Sequence, residues 1–438
     1  GELGTPTLPL EQLHARRDER LRALLRVAKE RSPWHAERLR HVDPAAMAGD
    51  DLTMLPAMTK ADLMANWDAI VTDRRLTLDL ANAHVSRVRD EGPAYLLDEY
   101  IVLASGGSSG RHGVFVWDFD GWLAWPLTVA PLAAWVERHT PWSAGDREAT
   151  VLAAHATHAS AATEATFAVP GATRAAFPLT LPLDEIVAGL NAFQPTQLTT
   201  YPSLLHRLAR EVRAGRLHIS PTRLASGAEP LLPEARRAIE AAFGVPVFNA
   251  YGASETGYMA VSFPGSPGLH LIEDSNVYEP VDEQNLPVPP GRRAAKLLIT
   301  NVVNQVLPLI RYELTDEVTF LAEPNPDPWT GRRTAEPQGR LDDIFWYDGQ
   351  RAVHPYIFWT ALGTVGEILE YQVRQTPRGA DIAVLAAGDL DQAAITRQLV
   401  AAYDMLELPN AEIVLRRVSA LERLTGSGKL KRFFPLPH

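Results

Sequence analysis

Hydrophobic and polar positions along this chain change period several times, and each change predicts an element. Between residues 10 and 40, Leu10, Leu13, Leu21, Leu24, Leu25 and Val27 recur at partly helical spacing. In LPAMTKADLMANW, Thr59 precedes Lys60-Ala61-Asp62-Leu63 and reads as the N-cap of a further helix. Tyr100-Ile101-Val102-Leu103 and Val114 to Trp117 are short apolar runs of β-forming residues. Ser105 to Gly110, all Gly or Ser, lie between them, so the pattern is strand, bare loop, strand. Gly121 to Glu137 reads as a Trp-rich buried helix.

Strand and helix patterns then alternate. EATVLAAHA reads as strand and LDEIVAGLNAF as helix, then PTQLTTYP as strand and SLLHRLAREVRAG as helix. TRLASGAEP is a strand running into a loop, PEARRAIEAAFG a helix, and PVFNAYGASETG again strand then loop. This βαβ alternation argues for a parallel sheet with helices on its faces. Within 285–320 the pattern switches to short strands, AAKLLITNVV and LPLIRYEL. AEPNPDPWTGRRTAEPQGR, residues 322–340, is rich in Pro, Gly and charge and predicts a long loop or linker. Beyond it EILEYQVRQT, DIAVLAAG and AEIVLRRV read as strands, and LDQAAITRQLVAAYDML as a helix. The expected fold is therefore α/β. A large N-terminal domain, 1–341, holds mixed and parallel sheets flanked by helices, and a small α+β C-terminal domain spans 342–438.

Composition narrows the class. A chain of 438 residues suggests two or three domains at roughly 150 residues each. The apolar fraction of 46% supplies a sizeable core and argues against disorder. No apolar run reaches membrane-spanning length, and the N-terminal stretch has no signal-peptide core. The absence of cysteine excludes disulfides, thiolate metal sites and a Cys nucleophile, and the expected location is the cytoplasm. A net charge of −11 argues against general nucleic-acid binding, so an anionic ligand needs a local positive site. Only five of the 42 basic residues are Lys, and two of these, Lys429 and Lys431, fall in the last ten residues.

Five stretches carry candidate chemistry. The loop Ser105 to Gly110 can present several backbone N–H groups and Ser hydroxyls to one anion, or act as a plain flexible turn. It is not the helix-opening phosphate loop, because Arg111-His112-Gly113 and an apolar strand follow. YGASETG, Tyr251 to Gly257, ends a predicted strand, where α/β sheets bind ligands. Glu255, between Ser254 and Thr256, suits Mg²⁺ beside phosphates, or is a solvated surface Glu. Ser226-Gly227-Ala228 in LASGAEPL end another strand and can wall a nucleotide or acyl pocket. Asp316, near Arg311 in IRYELTDEV, can accept both hydroxyls of a ribose, with Arg340, Asp342 and Asp343 following in GRLDD, or an Arg–carboxylate pair here is a surface salt bridge. RLTGSGKLKRF delivers Lys429 on a Gly/Ser turn, either as a transient charge between carboxylate and phosphate or as a basic tail.

Each signal is weak alone, but their order is specific. A Gly/Ser loop, SGAEP, YGASETG, RYELTD, GRLDD and TGSGK, taken in sequence, resemble the adenylate-forming superfamily of acyl- and aryl-CoA synthetases. LPAMTKADL, the YPSLLHRLA helix and the short C-terminal domain most resemble the phenylacetate–CoA ligase family. The resemblance covers nearly the whole chain. It implies an enzyme, an AMP-forming acid–thiol ligase, with ATP, Mg²⁺ and coenzyme A as cofactors and a C-terminal domain that is mobile.

Residue by residue, the resemblance implies that Ser105, Gly106, Gly107, Ser108, Ser109 and Gly110 wrap the ATP phosphates, with Arg111 beside them. It puts Ser226, Gly227, Ala228 and Glu229 along adenine, with Asn249, Ala250, Tyr251, Gly252 and Ser254 also on the nucleotide side. Glu255 is the Mg²⁺-linked carboxylate, Asp316 the ribose ligand, Arg340 a ribose or phosphate contact, Asp342 the hinge and Lys429 the adenylating lysine. Ala253 and Gly257 face the acyl group, and Tyr201 is a further wall candidate; His155 and His158 either meet a polar ring substituent in the pocket or are ordinary core or surface histidines. The small residues Ala153, Ala154, Ala156 and Ala159 leave room for a ring.

Three departures stand out. Ser109-Gly110-Arg111 replaces the family's Thr-Gly-Lys, and Leu314-Thr315-Asp316 replaces Thr-Gly-Asp. GQRAVHP, 349–355, stands where the family has a Gly…Pro segment facing CoA, with an altered middle. The leading expectation is thus adenylation of an aryl or arylacetic acid followed by thioester formation with CoA. Transfer to a carrier-protein thiol or an amine is an alternative, as is a non-catalytic nucleotide-binding homologue. The expected partners are small molecules rather than nucleic acid or membrane. A homodimer is admitted, since family members are often dimers.

Overall fold

The computed structural model describes residues 8–436 apart from 105–112, 142–144, 154–155, 168–172, 180, 264, 326–329, 338–342, 349–350, 363–364, 366 and 424–429. The chain begins with helices α1 (Leu10–Arg31), α2 (Pro33–Arg38), α3 (Lys60–Ala65), α4 (Trp67–Ile70) and α5 (Leu78–Glu91). The single helical run expected over 10–40 is broken at Ser32. Pro33 cannot continue α1 but suits the first turn of α2, and Ser32 Oγ accepts the His35 N–H. Thr59 caps α3 as its position predicts, in a reciprocal pairing with Asp62.

Strands β1 (Ile101–Ala104) and β2 (Val114–Trp117) pair antiparallel, with Ala104 opposite Val114. The Gly/Ser loop therefore joins two adjacent strand ends. Helix α6 (Phe119–His139) follows, opened by Asp118, whose carboxylate accepts the Gly121 N–H at 2.8 Å. It continues through Pro126 and Pro131, two positions a helix pattern alone disfavours.

The central sheet has eight strands. Five are parallel, in the spatial order β4 (Thr173–Pro178), β3 (Arg147–Leu152), β5 (Gln197–Thr200), β6 (Arg223–Gly227) and β7 (Val247–Ala253). Helices α7 (Ala159–Thr166), α8 (Leu183–Phe193), α9 (Pro202–Arg213) and α10 (Pro233–Phe243) connect them. Antiparallel β8 (Gly257–Val261) and β9 (Leu269–Leu271) extend the sheet. β10 (Asn276–Val281), β12 (Lys296–Asn301) and β13 (Tyr312–Leu314) form a second, three-stranded antiparallel sheet, and β11 (Arg293–Ala294) pairs with β14 (Val318–Thr319). The eighth strand of the central sheet is β15 (Arg333–Thr334), antiparallel to β9. Part of the expected linker 322–340 is therefore sheet. Its Pro and Gly do not prevent two residues from pairing, and Arg333 ties the segment to Pro267 and Pro324 carbonyls.

The hairpin β16 (Phe345–Tyr347) and β17 (Arg351–Val353) leads into α11 (Pro355–Leu362). A four-stranded sheet follows from β18 (Ile368–Thr376), β19 (Gly379–Ala386), β20 (Glu412–Arg417) and β21 (Phe433–Phe434), with α12 (Gln392–Met405) packed on it. Phe345, Phe358, Tyr371, Tyr403 and Phe433 build a hydrophobic core for this C-terminal part alone.

The N-terminal helices carry a pH-sensitive contact. His35 is 0% exposed, and its Nε2 lies 3.0 Å from the Pro308 carbonyl. Burial, reinforced by the Arg38 charge, pushes its pKa down to about 3. Folding therefore favours neutral His35. That contribution is complete above its ordinary value of 6.5 and is lost as pH falls toward about 3. We expect His35→Gln, which keeps a donor for Pro308, to flatten the loss of stability between about pH 7 and about pH 4. Urea midpoints at several pH values check this; parallel profiles for variant and wild type would sink it.

Candidate active site

Strand order locates the site. The chain steps from β3 to β4 on one side, then returns past β3 to β5 on the other. Ligands in such sheets bind outside the carboxyl ends at this switch. Tyr201, the residue after β5, occupies it. It is 1% exposed, and its hydroxyl accepts the Ala153 N–H after β3 at 3.2 Å and pairs with Ser160 Oγ on α7 at 3.1 Å. The Ala104 N–H reaches Thr157 O at 2.9 Å, which brings the first foot of the Gly/Ser loop to the same place. His158 is half-buried at the start of α7. The predicted residues Ser105 to Arg111, His155, Arg340, Asp342 and Lys429 lie outside the described residues.

The YGASETG motif forms a tight hairpin between β7 and β8. A Cβ on Gly252 would stand 2.7 Å from the Gly257 carbonyl oxygen, so no larger residue fits. Gly257 has φ +76, and a Cβ there would press against the Trp125 indole at 3.1 Å. Both glycines let the turn Ser254-Glu255-Thr256 close over an aromatic bed. Trp125 lies 5.2 Å from Trp117 and 4.7 Å from Trp122, centre to centre. Trp117 Nε1 donates to Ser254 O at 3.2 Å and Asn301 Nδ2 to Thr256 O at 2.8 Å. These clamps hold Glu255 at the tip, half-buried. One carboxylate here suits Mg²⁺, which takes one or two protein carboxylates plus phosphate oxygens. Among the described residues no three acidic or His side chains gather into an all-protein cage.

Tyr251 and Asp316 meet. The Tyr251 hydroxyl donates to Asp316 Oδ2 at 2.7 Å, joining motifs 65 residues apart. Asp316 is only 6% exposed. Arg311, its neighbour in the sequence motif, is spent elsewhere. It pairs with Glu279 at 2.9 Å and donates to the Thr53 carbonyl.

At the end of β6, Ser226 Oγ donates to Asn249 Oδ1 at 2.9 Å, and Asn249 Nδ2 to Glu336 at 2.8 Å. These side chains are held by each other, which leaves backbone as the surface that Gly227 and Ala250 offer. A Cβ on Gly227 would lie 2.7 Å from Ala250 O. Ala228 adopts φ +63, a turn non-glycine residues seldom make. Glu229 Oε2 accepts the Ser203 N–H at 3.1 Å at the start of α9. A cleft of about 900 Å³ lined by Asp73, Tyr100, Asp118 and Gln305 among others contains none of the predicted site residues.

Sequence reasoning missed the clamps. Trp117 and Trp125 belonged to runs read only as buried strand and helix. Asn301 ends a strand buried at every position, and a polar residue there is the signal that marks it.

Comparison with known proteins points to a class of enzyme. The AMP-binding enzyme family model matches residues 127–292. A phenylacetate–coenzyme A ligase from Thermus thermophilus is 26% identical over 405 residues, 88% of this chain and 81% of that protein. A crystal structure of 2-hydroxyisobutyryl-CoA ligase, in the postadenylation state with an acyl-AMP, superposes with TM-score 0.71 at 19% identity, covering 99% of this chain and 91% of the other. The same ligase with 2-HIB-AMP and CoA in the thioesterification state gives 0.59 at 19% identity, covering 98% and 91%. The AMP-binding match and the phenylacetate–CoA ligase relatives together support the adenylate-forming superfamily for this chain. Within it the protein is phenylacetate–CoA ligase-like, an AMP-forming acid–thiol ligase.

Proposed function

We propose that the protein adenylates an aromatic acid, aryl or arylacetic, with ATP and passes the acyl group to coenzyme A. The observation that carries the site assignment is the Tyr251–Asp316 hydrogen bond beside the clamped Glu255 turn. It joins a nucleotide-side motif to a ribose-side motif at the carboxyl ends of the sheet. The aromatic substrate is supported by the phenylacetate–CoA ligase likeness and by the small residues Ala153, Ala156 and Ala159 around the switch.

A carboxylate is a poor acyl donor, since its leaving group would be oxide. In the first step a carboxylate oxygen attacks the α-phosphorus of ATP. The bond to the bridging oxygen breaks, pyrophosphate leaves, and an acyl-adenylate forms. Both reactants are anionic, so catalysis is chiefly charge stabilisation. Backbone N–H groups of 105–110 and Arg111 hold the phosphates, and Asp316 with Tyr251 holds the ribose. Arg340 adds a ribose or phosphate contact, and Ser226 to Glu229 with Asn249 and Ala250 lie along adenine. Glu255 would hold Mg²⁺, which would supply positive charge to the same region. Lys429 brings an ammonium between carboxylate and α-phosphate. His155, His158, Tyr201, Ala253 and Gly257 shape the acyl pocket.

In the second step the CoA sulfur attacks the acyl carbon and AMP departs. This step needs no lysine. The parts 1–341 and 342–438 act as two domains, and rotation about Asp342 exchanges the lysine surface for the thiol-presenting one. ATP–pyrophosphate exchange across a panel of aromatic and aliphatic acids tests the reading, with thioester formation scored with and without CoA. We expect acid-dependent exchange that is strongest with an aromatic acid, and a CoA thioester as product. ATP binding with no exchange for any acid would overturn it.

A further inference from the structure

The contact between the C-terminal part and α9 centres on one buried carboxylate. Glu370 on β18 is 3% exposed. Arg423 Nη2 donates to both of its oxygens, at 2.6 and 2.8 Å, and Arg207 on α9 approaches to 3.8 Å. Gln372, two residues on, points to the same face of the strand. It is 4% exposed and clasps two stretches of chain at once. Its Nε2 donates to Glu422 O at 2.7 Å and Lys431 O at 2.8 Å, and its Oε1 accepts the Glu422 N–H at 3.1 Å. Val373 adds a backbone bond to Arg432 O at 2.7 Å. Glu422-Arg423 and Lys431-Arg432 flank TGSGK in the sequence.

We propose that Glu370 and Gln372 position the segment carrying Lys429, and that Arg207 docks that assembly on the large part for adenylation. This rests on the role given to Lys429 above. One strand fixes both flanks of the segment, Gln372 through three hydrogen bonds and Glu370 through Arg423. The same carboxylate that holds Arg423 meets Arg207. Thus the flank of the lysine segment faces the large part in this arrangement. Helix α9 in turn starts at Tyr201, whose hydroxyl reaches the end of β3 at the strand switch. A chain of contacts therefore runs from the strand switch through α9 and Arg207 to the flank of the lysine segment. Misplacing a reacting group by about 1 Å can cost on the order of a hundredfold in rate. Since thiolysis uses another surface of the C-terminal part, it does not need this docking.

The test uses the full chain with Arg207→Met and Gln372→Met, each removing polar groups while keeping bulk. Single-turnover pyrophosphate release reads adenylation, and a supplied acyl-adenylate with CoA reads thiolysis. Each variant should slow adenylation at least about tenfold, with the ATP KM nearly unchanged and thiolysis within about twofold of wild type. An equal fall in both half-reactions, or no fall in either, overturns the proposal. Arg207 is partly exposed, unlike Gln372, so its variant decides the matter if Gln372→Met fails to fold. Lys429→Ala, measured in parallel, separates the two readings. If it spares adenylation, the role of Lys429 is wrong. If it slows adenylation while both positioning variants remain wild-type, only the present inference fails.

Discussion

Lys429→Ala is expected to slow acyl-adenylate formation by about 10²–10³-fold and leave thiolysis of a supplied acyl-adenylate largely intact. The reason is electrostatic. Carboxylate and triphosphate repel each other at the distance where the new P–O bond forms, and the repulsion peaks as charge builds on the α-phosphate. A positioned ammonium lowers the barrier there, a kind of stabilisation worth roughly 3–4 kcal/mol for a single well-placed donor. That corresponds to a loss of two to three powers of ten, about 10²–10³-fold. An adenylate handed to the enzyme has already passed this step. The thiol attacks a neutral carbonyl carbon and expels AMP, and no group on the lysine turn is required. Rapid-quench pyrophosphate release and a thioester assay on purified acyl-AMP measure the two halves separately. Equal loss in both would mean that Lys429 serves the fold or the binding of AMP rather than the first chemical step. Lys429→Arg is the informative companion. It keeps the charge but spreads it over a planar fork, so it should recover only part of the rate.

Much of this fold was legible in the chain because alternation is a strong signal. LDEIVAGLNAF and PEARRAIEAAFG became α8 and α10 almost to the residue, since each runs from a Pro-bounded start to a left-handed stop, at Gln194 and Gly244. The strands at 101–104 and 114–117 were equally plain, because two apolar runs flank a segment that carries no apolar residue. The linker reading at 322–340 failed in part for a physical reason. Two residues, Arg333 and Thr334, complete the sheet edge through backbone groups that composition does not report. Arg311 shows the opposite limit. Motif spacing put it beside Asp316, but its nearest anion in the fold is Glu279, contributed by a strand distant in sequence. The meeting of the clamps on the Glu255 turn was not legible for the same reason. An indole at 117 and an amide at 301 converge on it only once two sheets are packed together.

Asp316→Asn is expected to raise the ATP KM about 10–100-fold while changing kcat little. Asp316 is buried, and one of its oxygens already receives the Tyr251 hydroxyl at 2.7 Å. A ribose diol brings two O–H donors, and an ionised carboxylate is the side chain that accepts from both while keeping the tyrosine bond. Asparagine retains the shape but turns one oxygen into a donor. That leaves a ribose hydroxyl, or the Tyr251 hydroxyl, facing an N–H. A hydrogen bond to a charged group contributes roughly 1.5–3 kcal/mol, hence the expected range in KM. The ribose lies away from the reacting phosphorus, so its binding is shared by ground and transition states and the loss falls on KM. Tyr251→Phe should have a smaller effect, severalfold, because it frees the carboxylate to turn without removing an acceptor. The discriminating measurement is 2′-deoxy-ATP. Wild type should prefer ATP strongly, and Asp316→Asn should narrow that preference, because the missing hydroxyl no longer has its carboxylate. A variant that binds ATP as tightly as wild type, with the preference against 2′-deoxy-ATP intact, would remove Asp316 from the nucleotide site and leave the Tyr251 bond as a tie between strands.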